Sequence, residues 1–408
     1  MGDIASEASV AIIGSFYLDP KQRYLDSFEE LAVSAAAGLF KEFKRKNNIL
    51  ISMQDIDAVF LSSVTASNVI GKEGQHSWEA IFASNFGLNI DLHAFPKGSE
   101  ALHHLISEIK AGESDLTILV GCDKRSDEQY SSDISNKGID PNLKLWNWKW
   151  QNVYACLASR YLYETDLTHD DLITMAINDK YNSTKDSKKK LRDFLSLIES
   201  SEKRPLYDPL SVDDFAPTTS DGAAALILCS SKRAYEYVKN PVFIKSSTSI
   251  TSSSEFWNQE NTLSYPALIK AAEKAYKTAK ITPQDLDLVS IDTKVTIIGP
   301  LVLEGLGIME FPALQKISED ITNLPSEYNE PHLKFEIDSG KKIIINPCGS
   351  THHFGNIPGV SGLYRLIALY EQLTGQAQNQ VNNAPKKALL QEQSASGMKQ
   401  MIHILEVE

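Results

Sequence analysis

Apolar and polar positions follow two regimes along this chain, and the same succession of regimes occurs twice. The apolar run Val10-Ala11-Ile12-Ile13-Gly14 predicts a strand, and residues 28–46 place apolar side chains at helical spacing. Gln54-Asp55-Ile56-Asp57-Ala58-Val59 then reads as a short acidic turn entering a strand that ends near Ser63. The second half repeats the order. Val242-Phe243-Ile244 is its strand, residues 265–279 its helix, and Gln284-Asp285-Leu286-Asp287-Leu288-Val289 its turn and strand. A repeated strand–helix–strand unit predicts an α/β fold of two duplicated halves. The apolar runs 116–121, 223–228 and 343–345 read as buried sheet members, with helices between them as parallel connections require.

The segment 123–214 departs from this pattern. It is polar, helical at 150–164 and 170–181, and reads as an insertion over one face of a first half spanning 1–235. The second half spans 236–408. Trp146, Trp148 and Trp150 alternate with polar residues, so an extended stretch would put all three rings on one side, as a packing or interface cluster. Residues 376–396, rich in Gln, Asn, Ala and Lys, read as a mobile surface stretch before a last strand at 401–405.

Composition narrows the function classes. With 42% hydrophobic and 23% charged residues in 408, a soluble chain with a sizeable core is expected. No apolar run approaches the ~20 residues of a membrane span, and residues 1–10 lack a basic region before an apolar one, so no secretory signal is expected. The four cysteines, Cys122, Cys156, Cys229 and Cys348, form no CxxC pair, which suggests reduced thiols in a cytoplasm rather than zinc or disulfides. A net charge of -13, with basic clusters only at 41–46 and 188–192, argues against nucleic acid as the main partner. An anionic ligand such as a CoA thioester needs only a local basic patch.

Several segments together carry a resemblance. Asp208-Pro209-Leu210 precedes Ser220-Asp221-Gly222-Ala223-Ala224-Ala225, and Asn346-Pro347-Cys348-Gly349-Ser350 is followed by Gly355, Gly359 and Gly362. The helical stretch 150–163, the Ser396-Gly397 turn and the closing Ile402-His403-Ile404-Leu405-Glu406 complete the series. From about Val10 to Glu406 this order resembles the thiolase superfamily, in its sterol-carrier-protein-type branch. The resemblance implies a five-layered αβαβα sandwich with an inserted loop domain, a dimer, and chemistry beside an acyl-CoA thioester without a tightly bound cofactor.

That chemistry needs a cysteine nucleophile at a helix N-terminus and histidines as base and oxyanion donor. Where the family has the cysteine, before Gly98-Ser99-Glu100-Ala101-Leu102, this chain has Phe95. Ser99 is the nearest hydroxyl and reads as a first-turn residue serving backbone donors. Asn356 stands where the family's GHP histidine stands, and Asp292 where the histidine of its HDCF motif stands, with no His or Cys between Asp285 and Glu304. The candidate catalytic positions are therefore Asn356, Asp292, Cys348 and His353, with Gly98, Ser99, Gly349, Ser350 and Gly355 as ligand-binding candidates. Cys348, near His352 and His353, has the makings of an acid–base or nucleophilic group, although a packing role is favoured.

The expected function is that of a non-catalytic or acyl-binding thiolase-like subunit of an acyltransferase complex. It would pair with itself or with an active thiolase- or ketosynthase-like paralogue, and the sterol-carrier branch often adds an OB-fold partner. The alternatives are a retro-aldolase, with Asp292 as base, and an acyltransferase with its nucleophile relocated to Cys348.

Overall fold

The computed structural model describes residues 10–66, 74–127, 139–183, 205–217, 221–253, 255, 257, 261–325, 328, 330–337 and 340–408, with backbone only at 74–77. Ser220 and the basic cluster 188–192 lie outside the described residues.

Strands β1 (Val10–Tyr17), β2 (Ala58–Ser62), β3 (Asp91–Phe95), β4 (Leu116–Lys124) and β5 (Asp221–Ser230) build the first half. The second half uses β6 (Val242–Thr251), β7 (Leu288–Ser290), β8 (Phe335–Glu336), β9 (Lys342–Ile345), β10 (Lys387–Gln393) and β11 (Lys399–Glu406). They form one continuous ladder in the order β3-β2-β4-β5-β1-β6-β11-β10-β7-β9-β8. Outward from the β1–β6 junction, β1, β5, β4, β2, β3 match β6, β11, β10, β7, β9. The pairing senses match as well: antiparallel for the two inner contacts of each half, parallel for the two outer ones. The repeat in the sequence is thus a repeat of topology.

Helices separate into three layers. Helix α1 (Phe28–Asn47) starts at a capping box, in which Ser27 Oγ accepts from the Glu30 N–H at 3.2 Å and the Glu30 carboxylate accepts from the Ser27 N–H at 2.7 Å. Its face of Leu31, Ala35, Leu39 and Phe43 packs on Ile13, Val59 and Ile118 of the first half. Helices α2 (Gly74–Phe86) and α3 (Gly98–Ala111) follow β2 and β3. Helix α3 and the late helix α9 (Ser361–Thr374) fill the middle, where Leu102, Leu105, Leu363 and Leu366 meet Ile12, Leu119, Leu390 and Leu405. On the far side, α6 (Pro266–Ala279) covers Val289, Leu389 and Ile402 together with the inserted helices α4 (Trp150–Thr165) and α5 (His169–Ser183). Two shorter helices, α7 (Ile298–Gly305) and α8 (Ala313–Thr322), complete that layer. The arrangement is helix–sheet–helix–sheet–helix.

Three expectations are corrected. Residues 387–393 are not a mobile surface stretch but strand β10, paired to β11 and β7 in the interior. Its amides are buried because they satisfy one another: Gln391 Nε2 donates to Gln400 Oε1, Gln400 Nε2 to Gln393 Oε1, and Gln393 Nε2 to the Tyr154 hydroxyl. The sheet is mixed rather than parallel throughout. The tryptophans do not share a side: a short helix at Pro141–Leu145 and a left-handed Asn147 turn the chain, leaving Trp146 78% exposed and Trp150 buried.

Candidate functional site

The site is assembled where the ends of β2, β3, β4 and β7 meet the 355–362 loop. Phe95 closes β3 three residues before Gly98 opens α3. Its ring stacks on His104 at 4.6 Å and on Phe60 at 6.2 Å. A Cβ at Gly98 would lie 2.6 Å from Leu363 Cγ, so glycine permits the start of α3 to press against α9. Asp123, buried at the end of β4, gathers the loops. Its Oδ1 accepts from Ser63 Oγ and the Val64 N–H at 2.8 Å and from the Thr65 N–H at 3.0 Å; its Oδ2 accepts from the Gly359 N–H at 2.6 Å. Asn356, half-buried on the same loop, donates its backbone N–H to Pro217 O at 2.7 Å.

Charge is concentrated just beneath. Lys294 Nζ lies 3.0 Å from Asp292 Oδ2 and donates to Ser394 O at 3.1 Å, both side chains being buried. Burial by itself raises the Asp292 carboxyl, but Lys294, Arg365 and Lys97 outweigh it and hold it down at about 2. Burial lowers the Lys294 ammonium, while Asp292 pulls it the other way. Lys97 Nζ lies 3.6 Å from Glu392 Oε1, and the Ser99 N–H donates to Glu392 Oε2 at 3.2 Å. Arg365, 2% exposed on α9, donates from Nη1 to Gln391 O at 2.6 Å. Its Nε and Nη2, the Tyr265 hydroxyl and Ser99 Oγ are buried and find no hydrogen-bond partner among the described residues. A buried polar group left so costs about 1–3 kcal/mol, which marks the cluster as more than packing.

The structure separates candidates that the sequence places together. Cys348 and His353 line a different, small cavity of about 90 Å³ with Tyr17 and Glu371. Burial pushes the Cys348 thiol up to about 12, and Gln372 Nε2 is its hydrogen-bond donor at 3.9 Å. His353 is exposed and packs its ring on Phe354, whereas His352 turns inward to the Thr293 backbone, where burial lowers it to about 4. Gly349 and Gly355 adopt φ of +80° and +83°; a Cβ at Gly349 would come within 2.5 Å of Asp179 O. The Ser350 hydroxyl is engaged with Ile291 O at 2.7 Å.

Lys97, Lys294, Arg365, Glu392, Tyr154 and Tyr265 go beyond the candidates read from the sequence. A signal existed for two of them. Lys294 stands among the apolar residues Val289, Ile291, Val295, Ile297 and Ile298, and Arg365 sits inside Leu363-Tyr364-Arg365-Leu366-Ile367. A charge within an apolar run is either a register error or a buried ion.

No family model matches the chain. It is 27% identical over 373 residues to an acetyl-CoA acetyltransferase of Methanocaldococcus jannaschii, covering 89% of each chain. A second acetyl-CoA acetyltransferase, from Methanothermobacter thermautotrophicus, is 25% identical over 376 residues, covering 90% of this chain and 91% of that one. Among solved structures, the Ltp2-ChsH2(DUF35) aldolase superposes with a TM-score of 0.72 at 16% identity, over 97% of this chain and 98% of that one. The duplicated five-layer fold, together with sequence similarity along nine tenths of the chain, supports membership of the thiolase superfamily.

Proposed function

We propose that this chain is an acyl-thioester-binding, thiolase-like subunit of the sterol-carrier-type branch that does not itself carry out thiolysis. The reading rests on one observation: no thiol is activated. A cysteine nucleophile needs its pKa lowered, and burial holds all four of these thiols up. Phe95, at the nucleophile's place in the resemblance, offers a ring wedged against His104 and no group to acylate. Asn356 retains hydrogen-bond donors for a thioester oxygen but takes no proton at neutral pH.

The ligand in this reading is an acyl-CoA, bound reversibly in a cytoplasmic protein. Strand β3 is an edge of the ladder, and an edge strand is a template for pairing with another chain. Homodimerisation, or pairing with an active paralogue, would use it; light scattering reads the mass directly. The name of the structural neighbour joins an aldolase to a DUF35 chain, which favours a second, different subunit here, for which the resemblance suggests an OB-fold protein. That name also motivates a retro-aldolase reading. At about 2, however, the Asp292 carboxylate is a weak base, better suited as counter-ion to Lys294.

Intact-mass measurement after incubation with a panel of acyl-CoAs is the test, on wild type and on Cys348→Ala. The expected result is no covalent adduct in either protein, with non-covalent binding of acyl-CoA. An adduct that disappears in Cys348→Ala overturns the proposal in favour of a relocated nucleophile. Cleavage of a β-hydroxyacyl-CoA overturns it in favour of the aldolase.

A further inference from the structure

Four charged side chains are buried together, Lys294 and Arg365 against Asp292 and Glu392, and the partly exposed Lys97 adds a third cation at their edge. Arg365 and Lys97 both act on the Asp292 carboxyl, and Glu392 and Lys97 both act on Lys294. The cations outnumber the anions. The next carboxyl, Asp179, is occupied by neutral donors, Thr293 Oγ1 and the Asn346 and Asn178 amides, and burial raises it to about 7. Arg365 also acts on it, but a carboxyl raised to about 7 is only partly ionised at neutral pH and offsets the excess only in part. The excess cation, Lys97, lies at the partly exposed edge, so a negative group reaching the cluster from that side would offset it.

The unpartnered atoms say what kind of group that is. Arg365 spends Nη1 on Gln391 O. The two nitrogens left over, Nε and Nη2, form one edge of the guanidinium, and their parallel N–H bonds match the two oxygens of a carboxylate. The Tyr265 hydroxyl, also unpartnered, feels the Asp292 charge, as does Tyr154, whose ring lies 5.8 Å from Lys294 Nζ. The cluster meets the turn between Phe95 and Ser99 through Glu392, which accepts from the Ser99 N–H and pairs with Lys97.

We infer that the acyl group this site receives carries a carboxylate, engaged by the Nε–Nη2 edge of Arg365 with Tyr265 and Lys294 alongside. This rests on the acyl-thioester reading and specifies its substrate class: thioesters of dicarboxylic acids rather than of simple fatty acids. No bond is made or broken.

Calorimetric titration of the full-length protein with matched pairs tests it, succinyl-CoA against butyryl-CoA and glutaryl-CoA against valeryl-CoA. The carboxylated member should bind roughly tenfold tighter or more. Arg365→Lys keeps the charge and loses the fork. It should reduce that preference to about threefold or less, read as the ratio of the two affinities within each pair. If Arg365→Lys does not fold, Tyr265→Phe serves as the second variant, with a smaller loss of the same preference expected. Equal binding within each pair overturns the inference and leaves the acyl-thioester reading intact. Failure of every acyl-CoA to bind overturns both.

Discussion

Asp123 shows how much one side chain organises. It accepts hydrogen bonds from the loop after β2 and from Gly359, two segments almost 300 residues apart in sequence, and so sets where Asn356 lies relative to Phe95. Hydrogen bonds to a charged acceptor contribute about 1.5–3 kcal/mol each. Asp123→Asn keeps the shape but places an amide NH₂ against donors that previously met oxygen. A loss of about 2–4 kcal/mol is expected from that mismatch, read as a lowered urea midpoint at unchanged m-value. A variant within about 0.5 kcal/mol of wild type would show that the loops hold without it. Phe95, Asn356 and Asp292 are singled out by the sequence as expected departures from a motif, because each stands at a definable place in the chain. Glu392 is not, and Arg365 stands out only as a charge inside an apolar run, because what matters about both is which buried partners they lack or share.

Among the elements, the repeat was readable because each half must bury its own strand–helix–strand unit, and that leaves a matching hydrophobic period. Strand β10 was misread for the opposite reason. Gln391, Glu392 and Gln393 look like solvent-facing residues, and only the amide chain to Gln400 and Tyr154 makes them core. The inserted helices dock through similar contacts. Asn178 and Asn182 of α5 donate to Ile345 O at 3.1 and 2.8 Å, and the α5 backbone passes so close to Gly349 that no Cβ fits. Gly349→Ala combines that clash with a left-handed φ of +80°. It should cost about 2–3 kcal/mol and loosen α5, visible as faster amide exchange along 169–183 than in 28–47. Unchanged exchange along α5 would mean the helix is held from elsewhere.

For the whole molecule, three buried carboxyls point to one pH dependence. Burial raises Asp179, Glu304 and Glu371 each to about 7, from ordinary values of 3.8, 4.5 and 4.5. Between those limits the folded state keeps protons that the unfolded chain releases, so stability falls as pH rises through the window. The effect is of the order of a kcal/mol or more per group. The depressed Asp292 works with the opposite sign, its contribution being lost only as pH falls from about 4 towards 2. Buried His352 and His403, lowered to about 4 and about 3, also oppose the carboxyls as pH falls below 6.5, but two histidines offset three carboxyls only in part. The urea midpoint should therefore be higher near pH 5.5 than near pH 8. Glu304→Gln, which keeps a partner for the Tyr161 hydroxyl, should flatten the slope. A midpoint that rises towards pH 8 contradicts this account.

Chain order was enough to establish the duplicated α/β plan and the α1 and α6 helices, and it raised the expectation that reactive residues are missing at Phe95, Asn356 and Asp292. These follow from short-range period and from residue identity at motif positions, both of which are properties of the chain before it folds. It took the folded arrangement to show that the sheet is mixed and continuous through β1 and β6, that Cys348 and His353 lie apart from Asp292, and that a buried charge cluster occupies the centre. Those depend on long-range pairing and on desolvation, where the energy of a charge is set by neighbours distant in the chain rather than by its own place in it.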